Sequence, residues 1–366
     1  MESVLYWLWL AEALGSGARY AGELLNRWPD PAALCVHLRA GGALPDCVPR
    51  TAAARLRRTS PADMTDRLAG CRAAGIAVLT PEDPAYPDRL RALPDLPLVL
   101  FVTGDPACLN GRRYAAMVGT RRPTRYGTQA CHDLARGLAE AGVVVVSGLA
   151  DGLDGEAHRA AVEAGCPTVA FLGTAIDKTF PAANEPLRRR IEAGGGAVVS
   201  EYPPHYQGKA TGTFLARNRL IAGLAEAVCV TEARSRSGTL NTVRHAETYG
   251  RPVLAVPGSI YSPTSEGTHA LLRAGRAQLL CSAADILAAI GLEGDAAPRA
   301  ADRAGEPELS PDAAAALAAL GPSPRTPDQV AAATGLPMPR VQTALFELEL
   351  TGAAAAQPGH TYIAVR

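Results

Sequence analysis

The chain has 366 residues, of which 48% are hydrophobic and 20% are charged, and its 36 lysines and arginines balance 36 aspartates and glutamates. These values are typical of a soluble globular protein with more than one domain, and the neutral balance excludes an argument for nucleic-acid binding from total charge. The eight cysteines form no C-x-x-C pair, which excludes a recognisable zinc motif or disulfide framework and favours a reducing, cytoplasmic location.

The amino-terminal segment predicts a domain of short helices over residues 1–78. Its first apolar run, VLYWLWLAEAL, has no basic leader and contains Glu12, so we expect a core-facing helix and not a signal peptide. No later run approaches the roughly 18 apolar residues that a membrane span needs. A Gly-Ser-Gly turn at 15–17 separates two apolar-periodic segments. We expect this turn to pack or to contact protein, with contact to a DNA backbone as the alternative.

The next part of the chain alternates strand and helix patterns as a parallel α/β sheet does, and we place this central domain at residues 79–290. Two strand candidates, 76–80 and 98–102, lie on either side of a proline-rich connector that leads into the regular pattern. The strand candidates of that pattern are apolar runs without polar alternation, as expected when helices cover both faces, and they lie at 115–118, 143–146, 168–172, 197–200, 227–230 and 252–256. The predicted helices lie at 127–141, 155–164, 185–193 and 239–249.

The carboxy-terminal part begins with a change of composition. Residues 291–310 are rich in Ala, Pro, Gly and charge, which indicates a linker. The remainder, 311–366, predicts a winged helix, with three helices at 311–320, 327–334 and 337–350 and a hairpin that 362–365 closes. The third helix offers Arg340 but also Glu347 and Glu349, so we expect it to contact protein or form oligomers rather than read duplex DNA.

Basic side chains recur in the loops that follow the predicted strands and in the segment 201–219, which we interpret as a loop. Because the carboxyl ends of parallel strands share one edge of a sheet, these side chains should gather there and form a polyanion site. Surface arginines are common, so several of them can merely be solvated. The set consists of Arg121, Arg122, Lys178, Lys209, Arg217, Arg219, Arg234 and Arg236.

Small residues accompany these cations where a strand gives way to a helix. Free backbone N–H groups and the positive end of a helix dipole favour phosphate at such positions, and the candidates are Gly119, Ser147, Gly148, Ser237 and Gly238. Neither a G-x-G-x-x-G pattern nor a Walker lysine is present, so we expect no NAD or P-loop chemistry and no cofactor.

Two further side chains are candidates for binding or chemistry. Phe214 lies between Lys209 and the Arg217–Arg219 segment, which suits a base stacked on the ring, although a core position is the alternative. Asp154 and His158 are four residues apart at a helix start. We expect Asp154 to cap the helix and His158 to pack beneath the loop, because no third ligand or nucleophile accompanies them. No catalytic residue and no metal site is predicted.

Six blocks, in order, resemble the DNA processing protein A (DprA/Smf) family: VGTRRPTRYG, SGLADGLDGEAHRAA, SEYPP, FLARNRLIAGL, EARSRSGTL and VPGSIYSPTSEGTHALL. The resemblance covers about residues 80–285. It implies an extended Rossmann-like domain with a parallel-dominated sheet, flanked by a small helical (SAM/helix-hairpin-helix-like) domain and a carboxy-terminal winged helix. It further implies a homodimer without catalytic turnover that binds and protects incoming single-stranded DNA and loads the RecA recombinase during natural transformation.

The resemblance also implies which residues form the single-stranded DNA pocket. The positions that match the family's blocks are Arg121, Lys178, Phe214, Arg217, Asn218, Arg219 and the pair Ser237 and Gly238. The basic position that usually precedes the phenylalanine is not evident, and Lys209 is the candidate substitute. Thr120, His269 and Arg276 also depart from the family's pattern.

Two other functions compete with this interpretation. A nucleotide phosphoribohydrolase on a related Rossmann-like fold would need a P-G-G-x-G-T loop followed by a catalytic Glu, whereas the loop here is SRSGTLNT and Glu247 comes late. A transcription factor led by the winged helix would need a less acidic third helix than the one present.

Overall fold

The computed structural model describes residues 2–17, 20–208, 210–292, 309–321, 324–357 and 359–364. The chain divides into two compact units, Met1–Ala296 and Ala297–Arg366, and each is described by itself. Within the described residues, no helix combines the length and the apolar character that crossing a membrane requires. The proposed linker falls almost entirely outside the described ranges, and the three boundaries between the predicted segments stay predictions.

The first unit begins with five helices that share one core. Leu10 and Trp9 of the first helix are 0% and 1% exposed, and the Trp9 indole N–H donates to the Thr59 carbonyl oxygen over 3.1 Å. The core-facing first helix is therefore confirmed. The helices are α1 (Ser3–Leu14), α2 (Ala21–Arg27), α3 (Pro31–Arg39), α4 (Arg50–Arg58) and α5 (Thr65–Ala73).

In the described residues, nine strands form one mostly parallel sheet: β1 (Ala77–Leu79), β2 (Leu100–Gly104), β3 (Arg113–Val118), β4 (Val143–Ser147), β5 (Thr168–Phe171), β6 (Ala197–Ser200), β7 (Ala227–Val230), β8 (Val253–Ala255) and β9 (Gln278–Leu279). Their order is β1-β2-β6-β5-β4-β3-β7-β8-β9. Strand β2 runs antiparallel to both neighbours, and the seven strands from β6 to β9 are parallel. The predicted parallel-dominated sheet is confirmed.

Helices cover both faces of the sheet, which explains why its strands lack polar alternation. They are α6 (Asp88–Arg91), α7 (Arg125–Glu140), α8 (Leu153–Glu163), α9 (Glu185–Ala193), α10 (Ala210–Leu224), α11 (Thr239–Thr248), α12 (Glu266–Arg273) and α13 (Ala283–Ala289). Helices α7, α8 and α13 bury apolar residues against one face, and α10 and α11 bury theirs against the other.

The interpretation of 201–219 as one loop is wrong, because helix α10 begins at Ala210. Gly212 and Thr213 have low helix propensity and obscure the start of the pattern. Farther along, Leu220 and Leu224 are 1% and 0% exposed against the sheet, and this burial stabilises the helix. Strand β9 and helices α12 and α13 are likewise absent from the prediction.

The second unit has the predicted winged-helix elements. They are α14 (Pro311–Ala319), α15 (Pro327–Thr334), α16 (Met338–Leu350) and the antiparallel strands β10 (Ala354–Gln357) and β11 (Thr361–Ala364). Val330, Val341 and Leu348 are fully buried at its centre. On the third helix, Arg340 is ion-paired with Asp312, so its charge is partly neutralised. The protein-contact role stays a prediction.

Candidate nucleic-acid interface

A cavity of about 310 Å³ lies at the carboxyl edge of the sheet, where β3 and β7 are neighbours. Strand order reverses between these two strands, and ligands of open α/β sheets bind in the crevice at such a switch point. The loop after β3, the start of helix α8, helix α10, the loop after β7 and the start of helix α11 supply the lining. It includes Gly119, Thr120, Arg121, Asp154, Phe214, Leu215, Arg217, Asn218, Arg234, Arg236, Ser237, Gly238 and Thr239.

A buried carboxylate fixes the loop after β3. Glu232 is 2% exposed and lies two residues after the end of β7. Its carboxylate accepts hydrogen bonds from the Thr124 N–H and hydroxyl and from the Thr264 hydroxyl, over 2.7 to 3.0 Å. Its carbonyl oxygen accepts the Thr120 N–H over 2.9 Å. The loop is thereby tied to β7, and it presents Arg121 to the cavity.

Phe214 is half-buried and forms one side of the cavity. The Arg121 guanidinium carbon lies 5.6 Å from its ring centroid, a cation–π distance. The Phe180 ring, on the loop that follows β5, has its centroid 5.5 Å from that of Phe214. A Cβ on Gly173 would approach the Phe214 ring to 2.5 Å, so a glycine is needed there for the aromatic side chain to fit.

Arg217 forms the floor of the cavity and is 4% exposed. Its guanidinium donates to the Gly148 carbonyl oxygen over 2.6 Å and to the Phe171 carbonyl oxygen. A Cβ on Gly148 would lie 2.5 Å from that guanidinium, which explains the glycine. Burial lowers the pKa of Arg217 to about 10, against the opposing effect of the Asp154 carboxylate. Arg217 therefore stays charged at neutral pH.

Asp154 is buried beside Arg217, and the backbone N–H groups of Gly119 and Gly148 act on its carboxylate to lower its pKa. Burial raises the pKa of this carboxyl group, while Arg217 acts to lower it. The prediction that Asp154 caps helix α8 is wrong, because the cap position is Gly152 and no side chain caps it. Asp154 instead joins the ends of β3 and β4 beneath the cavity.

His158 is fully buried one turn along α8, as predicted. Its Nδ1 lies 2.8 Å from the Thr168 hydroxyl, which itself donates to the Val145 carbonyl oxygen. The Nδ1 is therefore the protonated nitrogen. Burial lowers the pKa of His158 to about 3, so the ring is neutral. Among the described residues, no cluster of His, Cys, Asp and Glu could hold a metal ion.

The start of helix α11 forms the opposite side of the cavity. The Thr239 hydroxyl donates to the Gly119 carbonyl oxygen over 3.0 Å, and the Asn218 amide donates to the Gly238 carbonyl oxygen over 3.4 Å. The positive end of the helix dipole thus faces the loop that carries Arg121. Arg234 and Arg236 are exposed beside it, and no side-chain hydrogen bond or ion pair to a described residue engages either guanidinium.

The structure brings Lys178 close to the cavity but not into its lining. Lys178 is exposed on the loop that follows β5, two residues before Phe180, whose ring contacts Phe214. Arg122 is exposed beside Arg121 and is likewise absent from the lining. The contact of these two cations with DNA therefore stays a prediction.

Two other predicted residues cannot be placed in the cavity. Ser147 is 0% exposed, and its hydroxyl donates to the Met117 carbonyl oxygen over 2.6 Å, so it joins β4 to β3 and does not reach a ligand. Lys209 lies outside the described residues.

The structure contradicts Arg219 as a DNA contact. Its side chain is 3% exposed and is ion-paired with Glu201, and its Nε lies 3.9 Å from Asp95. Glu201 also accepts the Ser16 hydroxyl over 2.6 Å, so the Gly-Ser-Gly turn packs on this side of α10, as expected. Residues two apart on a helix point about 200° apart, so Arg219 faces away from the side that carries Arg217.

Sequence reasoning missed the role of Glu232 and noted Thr120 only as a departure from the family's pattern, although both lie two residues after predicted strands. The available signal was an acid two residues after a buried strand, a position that brings its carboxylate to the carboxyl edge.

Comparisons with known proteins agree with this architecture. The family model described as DNA recombination-mediator protein A matches residues 77–291, and the DprA winged helix domain model matches residues 298–360. The putative DNA processing protein DprA of Mycobacterium tuberculosis is 41% identical over 304 residues, which are 78% of this chain and 76% of that protein.

Two solved structures are also similar. The X-ray structure of DprA from Streptococcus pneumoniae has a TM-score of 0.65 and 32% identity, and the match covers 79% of this chain and 98% of that one. The structure of DprA from Helicobacter pylori has a TM-score of 0.54 and 32% identity, and the match covers 60% of this chain and 97% of that one. Its description names a unique single-stranded DNA binding mode of that protein.

The first prediction concerns the buried His158. The unfolded chain protonates this side chain near pH 6.5 and the folded chain only near 3, so the free energy of unfolding falls as pH drops below 6.5. The His158 contribution to that slope is up to ~1.4 kcal/mol per pH unit. His158→Asn removes it, whereas His205→Asn, at an exposed histidine, retains it. Urea unfolding followed by tryptophan fluorescence between pH 7 and 5 measures the slopes. Equal slopes for wild type and His158→Asn would refute the assignment.

The second prediction concerns Arg219. Arg219→Met leaves the Glu201 carboxylate, 6% exposed, without its cation, and this costs about 3–5 kcal/mol of unfolding free energy. Arg122→Ala, at an exposed position, stays within about 0.5 kcal/mol of wild type. In the double variant Arg219→Met/Glu201→Gln, part of the loss is recovered because the unpaired charge is gone. A wild-type stability for Arg219→Met would contradict the pairing.

Proposed function

We propose that this chain, which belongs to the DNA recombination-mediator protein A (DprA/Smf) family, binds single-stranded DNA at the switch-point cavity as a recombination mediator. The observation that carries the proposal is the arrangement of Arg121 over the Phe214 ring, opposite the start of helix α11. An aromatic face beside free guanidinium groups suits a stacked base with its phosphates on the cations.

The charges around the cavity support a polyanion as its ligand. Arg121, Arg234 and Arg236 line the cavity and are exposed. Among the described residues that line the cavity, the one acid is Asp154, which is buried, faces two backbone N–H groups and lies beside Arg217. The guanidinium groups at the mouth are therefore available to phosphate oxygens, which they bind in pairs.

The relative from Helicobacter pylori, described by its single-stranded DNA binding mode, supports extending the same ligand to this chain. Protection of incoming DNA, loading of the RecA recombinase during natural transformation and assembly as a cytoplasmic homodimer are further proposals, which rest on the family. The proposed role is one of binding without catalytic turnover.

The geometry gives no support to the phosphoribohydrolase alternative. Its best acid, Glu247, accepts two hydrogen bonds from Arg276 over 2.7 and 2.8 Å and is absent from the lining of the cavity. Asp154 is buried and held by backbone N–H groups. Neither carboxylate is placed as a nucleophile toward a ligand in the cavity.

The third prediction tests the cations. Arg121→Ala combined with Lys178→Ala weakens binding of an oligothymidylate. It also reduces the slope of log affinity against log salt by about 1.4, since each lost phosphate contact to a single strand contributes about 0.7. Fluorescence anisotropy across a salt titration measures both quantities.

The control for these cations is Arg112→Ala combined with Arg273→Ala. It removes the same charge at exposed positions outside the cavity lining, so it leaves the slope near the wild-type value. The cation contacts are refuted if the Arg121/Lys178 variant keeps wild-type affinity and slope.

The fourth prediction tests the ring of Phe214. Phe214→Ala removes the stacking surface and costs about 1–3 kcal/mol of binding free energy, while Phe214→Tyr retains the ring and binds as wild type does. Phe214 also contacts Phe180, so urea unfolding of each variant is needed to show that the fold persists. Wild-type affinity in a folded Phe214→Ala protein would remove the stacking role.

A further inference from the structure

A second groove lies beside the switch-point cavity, between helices α11 and α12. Its volume is about 450 Å³, within the range of ligand sites. We call it the α11–α12 groove, and the residues that line it are Ser235, Arg236, Ser237, Leu240, Arg244, Gly267, Ala270, Leu271 and Arg276. Within the part of the chain that the structure describes, the lining of this groove includes three arginines and no acid.

One loop separates the groove from the cavity, and Arg236 and Ser237 of that loop line both. The loop packs directly on the start of α12, where the Gly267 N–H donates to the Ala233 carbonyl oxygen over 2.8 Å. A Cβ at Gly267 would lie 2.7 Å from that oxygen, so no side chain fits between them. A ligand that leaves the cavity past Arg236 therefore enters the groove directly.

The groove combines an apolar floor with free positive charge. Leu271 is buried, and Leu240 is partly buried beside it. Arg236 and Arg244 are exposed, and no hydrogen bond or ion pair to a described residue engages either guanidinium. Arg276 is bound to Glu247, which neutralises the acid one turn beyond Arg244. This chemistry suits a base against the apolar floor and phosphates on the two free arginines.

We propose that the α11–α12 groove is a second subsite for single-stranded DNA, in which the strand held in the cavity continues past Arg236 to Arg244. The proposal rests on the proposed function and extends it. Continuity through Arg236 and the positive charge at both places identify the occupant as the same polynucleotide.

The test compares Arg244→Ala with Arg112→Ala in the full-length chain, using oligothymidylates of increasing length. Arg112 is an exposed arginine at the opposite end of β3, so it controls for net charge. The shortest oligonucleotides that bind fill only the cavity, and Arg244→Ala binds them as wild type does. Longer ones lose affinity severalfold in Arg244→Ala, with a salt slope lower by about 0.7. Arg244→Lys retains the charge and the slope.

Three outcomes would overturn the subsite. Arg244→Ala could match Arg112→Ala at every length, or it could weaken short and long oligonucleotides equally. A free mononucleotide could also occupy the groove while the length of oligonucleotide that the protein covers stays the same. Arg121→Ala, measured in parallel, keeps the two proposals distinguishable. If it weakens binding at every length while Arg244→Ala does not, only the subsite fails. If Arg121→Ala has no effect, the proposed function fails.

Discussion

The site depends on one buried guanidinium. Arg217 donates to the carbonyl oxygens of Gly148 and Phe171, which stand at the ends of β4 and β5, and so it holds helix α10 across the carboxyl edge of the sheet. Removing one partner from such a buried charged contact costs several kcal/mol. Because Phe214 lies one turn before Arg217 and Asn218 one residue after it, the position of both follows from this contact.

The same helix is held from its other side by a second buried arginine. Arg219 pairs with Glu201, which also binds the Ser16 hydroxyl of the amino-terminal helices. The two contacts fix the rotation of α10 about its axis. Arg217 binds backbone carbonyl oxygens on one side of the helix, and Arg219 binds a carboxylate on the other. The amino-terminal helices therefore contribute to the site indirectly, by packing on the helix that carries Phe214.

Features that depend on neighbouring residues could be predicted from the sequence, whereas features that depend on residues far apart in the sequence could not. Strands 197–200 and 227–230 could be predicted to the residue, because burial on both faces leaves an apolar run in the local sequence. The position of Arg121 at the carboxyl edge could be predicted from sheet topology, whereas Arg217 reaches the same cavity from helix α10, which we interpreted from the sequence as a loop. The burial of Arg219 could not be predicted, because its partners Glu201 and Asp95 are distant in the sequence and only the fold brings them to one face of α10.

A neutral chain can present basic side chains at this cavity because two of the acids nearest to it are buried. Glu232 ties the loop after β3 to β7. Asp154 interacts with backbone N–H groups at the ends of β3 and β4. Each of these carboxylates is buried, so little of its charge reaches the solvent. Arg121 and Arg236 remain exposed at the same edge. The local field thus depends on which charges are buried and not on their sum, which is why total charge is a poor guide to polyanion binding.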